Sequence, residues 1–218
     1  MRILSSENKN IWDKFAPVYT NFVTGTPGNK KAYKTIYGRI KAVIKEKEVL
    51  EIATGPGIIA RQVACEAKKM TATDYSEKML AMARRDIVPD NLNFEQADAT
   101  DLPYEDNSFD VIIIANALHV IPNPEKVLDE IRRVLKKDGL LIAPNFVHDN
   151  KKKISNMLGK ALSVAGVDFK AKWSAKGYTD FLKRNGFNVR FWDRLPSTIP
   201  MVYAECTVAE NLIEMKGE

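Results

Sequence analysis

Three acidic side chains and one glycine turn carry most of the chemistry legible in this chain. The turn lies in VLEIATGPGIIARQVA, residues 49–64, where an apolar run meets Gly55-Pro56-Gly57 and then a run with helical spacing. Two glycines let a backbone come close to a ligand, and a helix beginning near Ile58 would aim its N-terminal N–H groups at it. GPGIIA also satisfies the G-x-G-x-x-G/A pattern of dinucleotide binders, so a nicotinamide dinucleotide has to be weighed. Glu51, inside the apolar run, would face a cationic group rather than a pyrophosphate; a structural salt bridge is its alternative. Asp74, 19 residues beyond Gly55, is placed to accept hydrogen bonds from both hydroxyls of a ribose. Asp98, followed by Ala99, can accept from an adenine amino group. Either aspartate can equally cap the turn that follows it. A ligand with adenosine at one end and an ammonium at the other suits this set better than one with a pyrophosphate in the middle.

A base is harder to find. His119 follows an apolar run on the rim where an acceptor would lie, and histidine titrates near neutrality. Its alternatives are packing beneath the turn IPNP or a bond to a backbone carbonyl. His148 is a second candidate, with an exposed loop histidine as its rival. Cys65 and Cys206 are far apart and lack CxxC spacing, so neither a disulfide framework nor a zinc site is expected, and no metal is implied. A net charge of +5, with both signs interspersed, argues against a nucleic-acid partner. Lys151-Lys152-Lys153 is short and has no interleaved aromatics. MRILSSENKNIW lacks the apolar core of a secretory signal. VIIIANALHVI, broken by Asn116 and His119, falls well short of a membrane span. A soluble, cytoplasmic protein without stable membrane insertion is expected.

The elements that must position these residues follow from periodicity. Residues 1–48 read as a helical cap, two segments separated by the breaker TGTPGN at 24–29, the second with Ile36, Ile40, Val43 and Ile44 at helical spacing. Then strands and helices alternate. EVLEIAT is a strand and GIIARQVACEA a helix; KMTATDY is a strand and SEKMLAMARRD a helix capped by Ser76. NLNFEQAD and FDVIIIAN are the third and fourth strands, the latter apolar enough to be buried on both faces. NPEKVLDEIRRVLKKDG reads as a helix, with Asn123 as cap, Pro124 in its first turn, lysines in its last and Gly139 as its stop. GLLIAPNF is strand five. After the helix AKGYTDFLKRNG, FNVRFWDRL and MVYAECTVAE form an antiparallel pair at the sheet edge. The expected fold is α/β: a Rossmann-like, doubly wound, seven-stranded and mainly parallel sheet with a helical N-terminal cap. In such sheets ligands bind beyond the carboxyl ends of the strands where the strand order reverses, and the glycine turn is there.

Four motifs, in this order and spacing, resemble the core of class I S-adenosylmethionine-dependent methyltransferases. They are VLEIATGPG, TATDYSEKMLAMA, FEQADATDLPYEDNSFDVIIIANALHVIPNP and LKKDGLLI, and they are most similar to the ubiquinone/menaquinone-biosynthesis branch. WDKFAPVYTNF also looks like that branch's opening segment, whereas the last third of the chain resembles it in outline only. The resemblance implies S-adenosylmethionine as cofactor and S-adenosylhomocysteine as product. It implies that Glu51 begins the motif wrapping the methionine end through Gly55 and Gly57, with Ala53 standing where the family has its first glycine. Alanine is tolerable there if φ is negative. Asp74 would hold the ribose, with Tyr75 and Met79 packing near it and the adenine. Asp98 would read the adenine amino group and Ala99 donate a backbone N–H. Asn116 and Ala117 would present backbone groups to the methionine end, and Tyr19 would close over the cofactor.

Methyl transfer from a sulfonium needs donor and acceptor at near-attack distance and water excluded; a base is needed only for a protonated acceptor. One methyltransferase domain is expected: cap 1–48, cofactor-binding core 49–145, substrate lid 146–172, and C-terminal helix and edge strands 173–218. Leu158, Leu162, Val164 and Val167 in the lid can form one wall of an acceptor pocket. The size of cap and lid suits a small-molecule or lipid-derived acceptor, methylated on O, N or C. A membrane lipid, either a quinone precursor or an amino headgroup, is the alternative acceptor. A non-catalytic cofactor-binding sensor or partner protein is the reading from another class.

Overall fold

The computed structural model describes residues 20, 24–85, 87–148, 171–198 and 200–209. The first helix, α1 (Pro27–Val43), begins inside the expected breaker. Thr26 caps it, its hydroxyl accepting from the Asn29 amide at 3.2 Å, and Pro27 takes the first turn, where a missing N–H costs nothing. Thr-Pro here starts a helix instead of separating two. Ala32, Tyr33, Ile36 and Ile40 form its buried stripe. The other expected cap helix, with Tyr19, lies outside the described residues, as do Leu158, Leu162, Val164 and Val167.

The alternating segments give β1 (Glu48–Ile52), α2 (Ala60–Val63), β2 (Lys69–Asp74), α3 (Glu77–Ala83), β3 (Leu92–Gln96), β4 (Phe109–Ile114), α4 (Pro124–Val134), β5 (Leu135–Ile142) and β6 (Asn145–Phe146). They are followed by α5 (Ala175–Arg184), β7 (Phe187–Leu195) and β8 (Met201–Val208). The sheet runs β3-β2-β1-β4-β5-β8-β6, with β7 on the outer side of β8. Strands β1 to β5 are parallel; β8 is antiparallel to β5, β6 and β7. The strand order reverses between β1 and β4, and that is the switch point expected to hold a ligand.

Alternation along each strand divides the core into two layers. Leu50, Ile52, Ile112 and Ile114 face α4 and α5. Val49, Val111, Ile113 and Ile142 face α1, α2 and α3. Both layers reach full burial at their centres, for example at Ile112, Ile113, Ile36 and Leu128.

Two expectations are corrected. The helix after the glycine turn is a single turn, Ala60–Val63, continued by a 3-10 turn over Ala64–Glu66. Asn91 donates its side-chain amide to the carbonyls of Ala64 and Ala67, which a longer helix would have used. Helix α4 stops at Val134, and Leu135, Lys136 and Lys137 belong to β5 instead. Leu135 is buried opposite Phe109, and Lys136 bonds Asp110 at 2.9 Å. Gly139 is a packing requirement there, since a Cβ would lie 2.6 Å from Leu135 Cδ1. Among the described residues Pro144 interrupts strand five, so the sheet has eight strand segments on seven strand lines. Register with β8 is preserved across the break, so β6 continues the same line. The C-terminal antiparallel pair stands at the sheet edge, with β7 outermost and β8 between it and β5.

Helix α1 is tied to that hairpin. Thr198 donates its amide to Asn29 Oδ1 at 3.0 Å and shares a hydroxyl bond with Thr26 at 2.9 Å. Arg39 bonds Asp193 at 2.8 Å and lies over the rings of Phe191 and Tyr203.

Candidate active site

At the carboxyl end of β1 the backbone turns through left-handed positions at Ala53 (φ 54°), Gly55 (59°) and Gly57 (75°). Negative φ was the condition on which an alanine seemed tolerable at 53, and it is not met. The side chain is held in a region that costs an L-residue about 1–2 kcal/mol. Gly57 has a second reason to be glycine, because a Cβ would come within 3.0 Å of the Phe94 ring and 3.1 Å of Ala83.

Glu51 is buried at the head of this turn. Its carboxylate accepts from the Thr54 hydroxyl at 2.7 Å and from the Ala60 amide at the start of α2. Among the described residues it has no cationic partner. Burial pushes its pKa up to about 8, and the charge of Asp74 adds to this, against the two hydrogen bonds. A desolvated carboxyl with two neutral donors suits a cationic group.

Asp74 joins two turns. One oxygen accepts from the Gly55 amide and the other from the Ser76 amide, both at 2.8 Å. The capping alternative therefore accounts for a contact at each oxygen, and it fixes the carboxylate at the end of β2 beside the glycine turn. Ser76 in turn caps α3, accepting from the Met79 amide. Met79 is buried, while Tyr75 is 36% exposed on the rim. Asp98 uses Oδ1 for the amide and hydroxyl of Thr100, both at 2.8 Å. Its Oδ2 has no partner among the described residues. Ala99 follows it and packs on the core.

Beyond β4, Asn116 also has positive φ (53°), and its amide is committed to the Pro144 carbonyl at 2.8 Å. Ala117 is buried, and its carbonyl accepts from Val120 and Ile121. What Asn116 has to present is its carbonyl and side chain. Its Nδ2 donates to the Tyr33 hydroxyl at 3.0 Å, and its Oδ1 is buried without a hydrogen-bond partner.

His119 is 4% exposed and its ring stands edge-on to Phe146. Its Nδ1 is 2.9 Å from Asn145 Oδ1. Asn145 donates its own amide nitrogen to the Phe146 carbonyl, so its oxygen must accept; Nδ1 carries the proton and Nε2 the lone pair. Burial pushes the imidazole down to about 4, outweighing the bond to Asn145, so the ring is neutral at neutral pH. His148 donates its backbone amide to Trp173, and burial with the Lys172 charge lowers its pKa.

Sequence reasoning missed Tyr33, Tyr37, Thr54 and Asn145. Tyr33 and Tyr37 are spaced i, i+4 on α1 with ring centroids 5.9 Å apart. Burial first, then the Glu51 charge, raise the Tyr37 hydroxyl above its usual range. Two tyrosines one turn apart, the first on the apolar stripe, were the available signal. No group of three metal-ligating side chains occurs among the described residues.

Residues 50–143 match the family profile of a methyltransferase domain. Its core is 36% identical over 120 residues to the demethylmenaquinone methyltransferase of Clavibacter sepedonicus, covering 55% of this chain and 49% of that protein. It is 37% identical over 108 residues to the ubiquinone/menaquinone biosynthesis C-methyltransferase UbiE of Rickettsia bellii, covering 45% and 44%. The chain thus spans about half the length of these curated relatives. The fold of the DhpI–SAH complex superposes with a TM-score of 0.75 at 21% identity, over 96% of this chain and 99% of that one. The matched residues run from within β1 to just past the end of β5, so they include Glu51, the glycine turn, Asp74, Asp98, Asn116 and His119. S-adenosylmethionine fits these residues: a buried carboxyl and an unpartnered amide oxygen suit its ammonium, and the open oxygen of Asp98 suits its adenine amino group.

Proposed function

We propose that this chain is an S-adenosylmethionine-dependent methyltransferase acting on a lipid-derived or other small acceptor, with a ring carbon of a quinone precursor as the finer reading. The observation that carries the first part is Glu51, a buried carboxyl at the switch point with two neutral donors and no cation among the described residues. The finer part is supported by the activities for which the relatives are named, matched over about half of their length. No described helix is long and apolar enough to cross a membrane.

The donor supplies a methyl on a positively charged sulfur and leaves as a neutral thioether. The chain's task is to hold the sulfonium and acceptor in line and to keep water out. Residues 49–145 serve as the cofactor core, with Tyr75 and Met79 beside the adenosine; most of the expected lid, 146–172, lies outside the described residues. His119, held neutral with its lone pair on Nε2, takes the proton an acceptor loses once its new bond forms.

The test is transfer of labelled methyl from S-adenosylmethionine to a cell extract split into lipid, aqueous small-molecule, nucleic-acid and protein fractions. Label in the lipid fraction, on carbon, supports the finer reading. Label in the aqueous fraction supports only the broader one. Binding of cofactor without label in any fraction would count against catalysis.

A further inference from the structure

We infer that the side-chain carboxamide of Asn116, oriented by Tyr33 of α1, forms with Glu51 a two-sided site for the cofactor's ammonium. This rests on the reading of the chain as a binder of S-adenosylmethionine, and it adds a residue from the N-terminal helix to that site. Strands β1 and β4 are parallel neighbours, with Glu51 opposite Ile113 and Ile52 opposite Ile114. Asn116 therefore leaves the sheet beside the strand end that carries Glu51. Its left-handed backbone, φ 53°, and the bond from its amide to Pro144 fix the direction in which its side chain leaves.

The carboxamide is then locked at one end only. Tyr33, itself 3% exposed, accepts from Nδ2 at 3.0 Å across 83 residues of sequence. Asn116 is 6% exposed, and Oδ1, the opposite end of the same amide, is left without a hydrogen-bond partner. Buried carbonyl oxygens are nearly always paired, and one that is not calls for a donor to be supplied. The donor must be an N–H or O–H, and an ammonium has three. A carboxylate on one side and a neutral amide oxygen on the other would satisfy two of them, leaving the charge itself to Glu51. Tyr33 is here a positioning residue: it holds Nδ2 so that Oδ1 is the end presented.

Two probes separate this site from the rest of the pocket. S-adenosylhomocysteine carries the ammonium and carboxylate; 5′-methylthioadenosine has the same adenosine and sulfur without them. Asn116→Gly removes the amide while keeping a residue at ease at positive φ. It is expected to weaken S-adenosylhomocysteine at least about tenfold, as loss of a hydrogen bond to a charged group does, and to leave methylthioadenosine within about twofold. Tyr33→Phe is expected to weaken S-adenosylhomocysteine by about threefold or more, again sparing methylthioadenosine. Asn116→Asp, which keeps an acceptor, should bind S-adenosylhomocysteine better than Asn116→Gly. Equal losses for both probes would make Asn116 merely structural and overturn the inference. Unchanged S-adenosylhomocysteine binding in Asn116→Gly would overturn it too. So would Asn116→Asp binding worse than Asn116→Gly, since the amide's nitrogen would then be the end meeting the ligand's carboxylate. If the unsubstituted chain binds neither probe, the cofactor reading itself fails, and the inference with it.

Discussion

Binding of the cofactor is expected to expel a proton from Glu51. Burial holds this carboxyl near a pKa of about 8, so at pH 7, one unit below, roughly nine in ten molecules carry the proton. An ammonium placed against it favours the ionised form, and the proton leaves to the buffer. The stoichiometry is then about 0.9 protons released per cofactor at pH 7, about 0.5 at pH 8 and about 0.1 at pH 9. Calorimetric titration with S-adenosylhomocysteine in phosphate, imidazole and Tris reads this directly, because the observed heat changes with the buffer's ionisation enthalpy in proportion to the protons released. Glu51→Gln keeps the size and the bond from Thr54 but has no proton to lose, so its slope should be close to zero. Stability should carry the same signature. The folded pKa lies above the ordinary value of 4.5, so the contribution is fully present below 4.5 and is lost as pH rises through about 8. The gap between Glu51→Gln and the parent chain should therefore shift in the variant's favour over that interval. A zero slope in the parent at pH 7, or equal slopes in parent and variant, would refute the placement of a cation against Glu51.

Asp74→Ala removes acceptors at 2.8 Å from the Gly55 and Ser76 amides. At about 1.5 kcal/mol each, the low end for charged acceptors, the loss is about 3 kcal/mol, or roughly 6–12 °C in Tm for a chain of this size. Cofactor affinity should fall at least about tenfold, and Asp74→Asn should lose about half as much Tm; a shift under about 2 °C in Asp74→Ala would show that the two turns do not depend on it. Ala53→Gly should relieve about 1–2 kcal/mol of left-handed strain, against about 0.4–1 kcal/mol of added unfolded-state freedom. The expected result is a higher urea midpoint with cofactor affinity unchanged, and a lower midpoint would mean that the alanine methyl packs more strongly than it strains. His119 runs opposite to Glu51 in sign. Its folded pKa of about 4 lies below the ordinary 6.5, so its contribution is present above 6.5 and lost as pH falls through about 4. His119→Gln should lose less Tm than the parent between pH 7 and pH 4.5, and parallel losses in the two would contradict a buried neutral ring.

What the sequence disclosed and what it withheld divide along the range of the interactions. The apolar runs around Leu50 and Ile112 declared buried strands, because a strand covered on both faces has no polar period to confuse the reading. Ser76 declared a helix start because capping is settled within a single turn. Leu135 did not declare itself. Its local context is helical, and only pairing with Phe109 draws it into the sheet. Ala53 misled in the same way, since a left-handed alanine is allowed by the fold around it and disfavoured by everything local. That Glu51, Asp74 and Asp98 lie at or near strand ends was legible, because apolar runs and the turns after them declare themselves locally. Tyr33 and Asn145 were not, because each acquires its role only from a partner, Asn116 or His119, that the fold delivers from far along the chain.

The clasp between the start of α1 and the last hairpin sets an order of assembly. A polypeptide emerging from the ribosome through residue 145 already holds Glu51, Asp74, Asp98 and Asn116. The helix bearing Tyr33, however, is tied through Asn29 and Arg39 to Thr198 and Asp193, which have yet to be made. Strand β8, the neighbour of β5 and β6, comes later still. Completion of the site thus waits for the hairpin, and ligand capture during synthesis would mark its arrival, long after the acidic residues themselves have appeared.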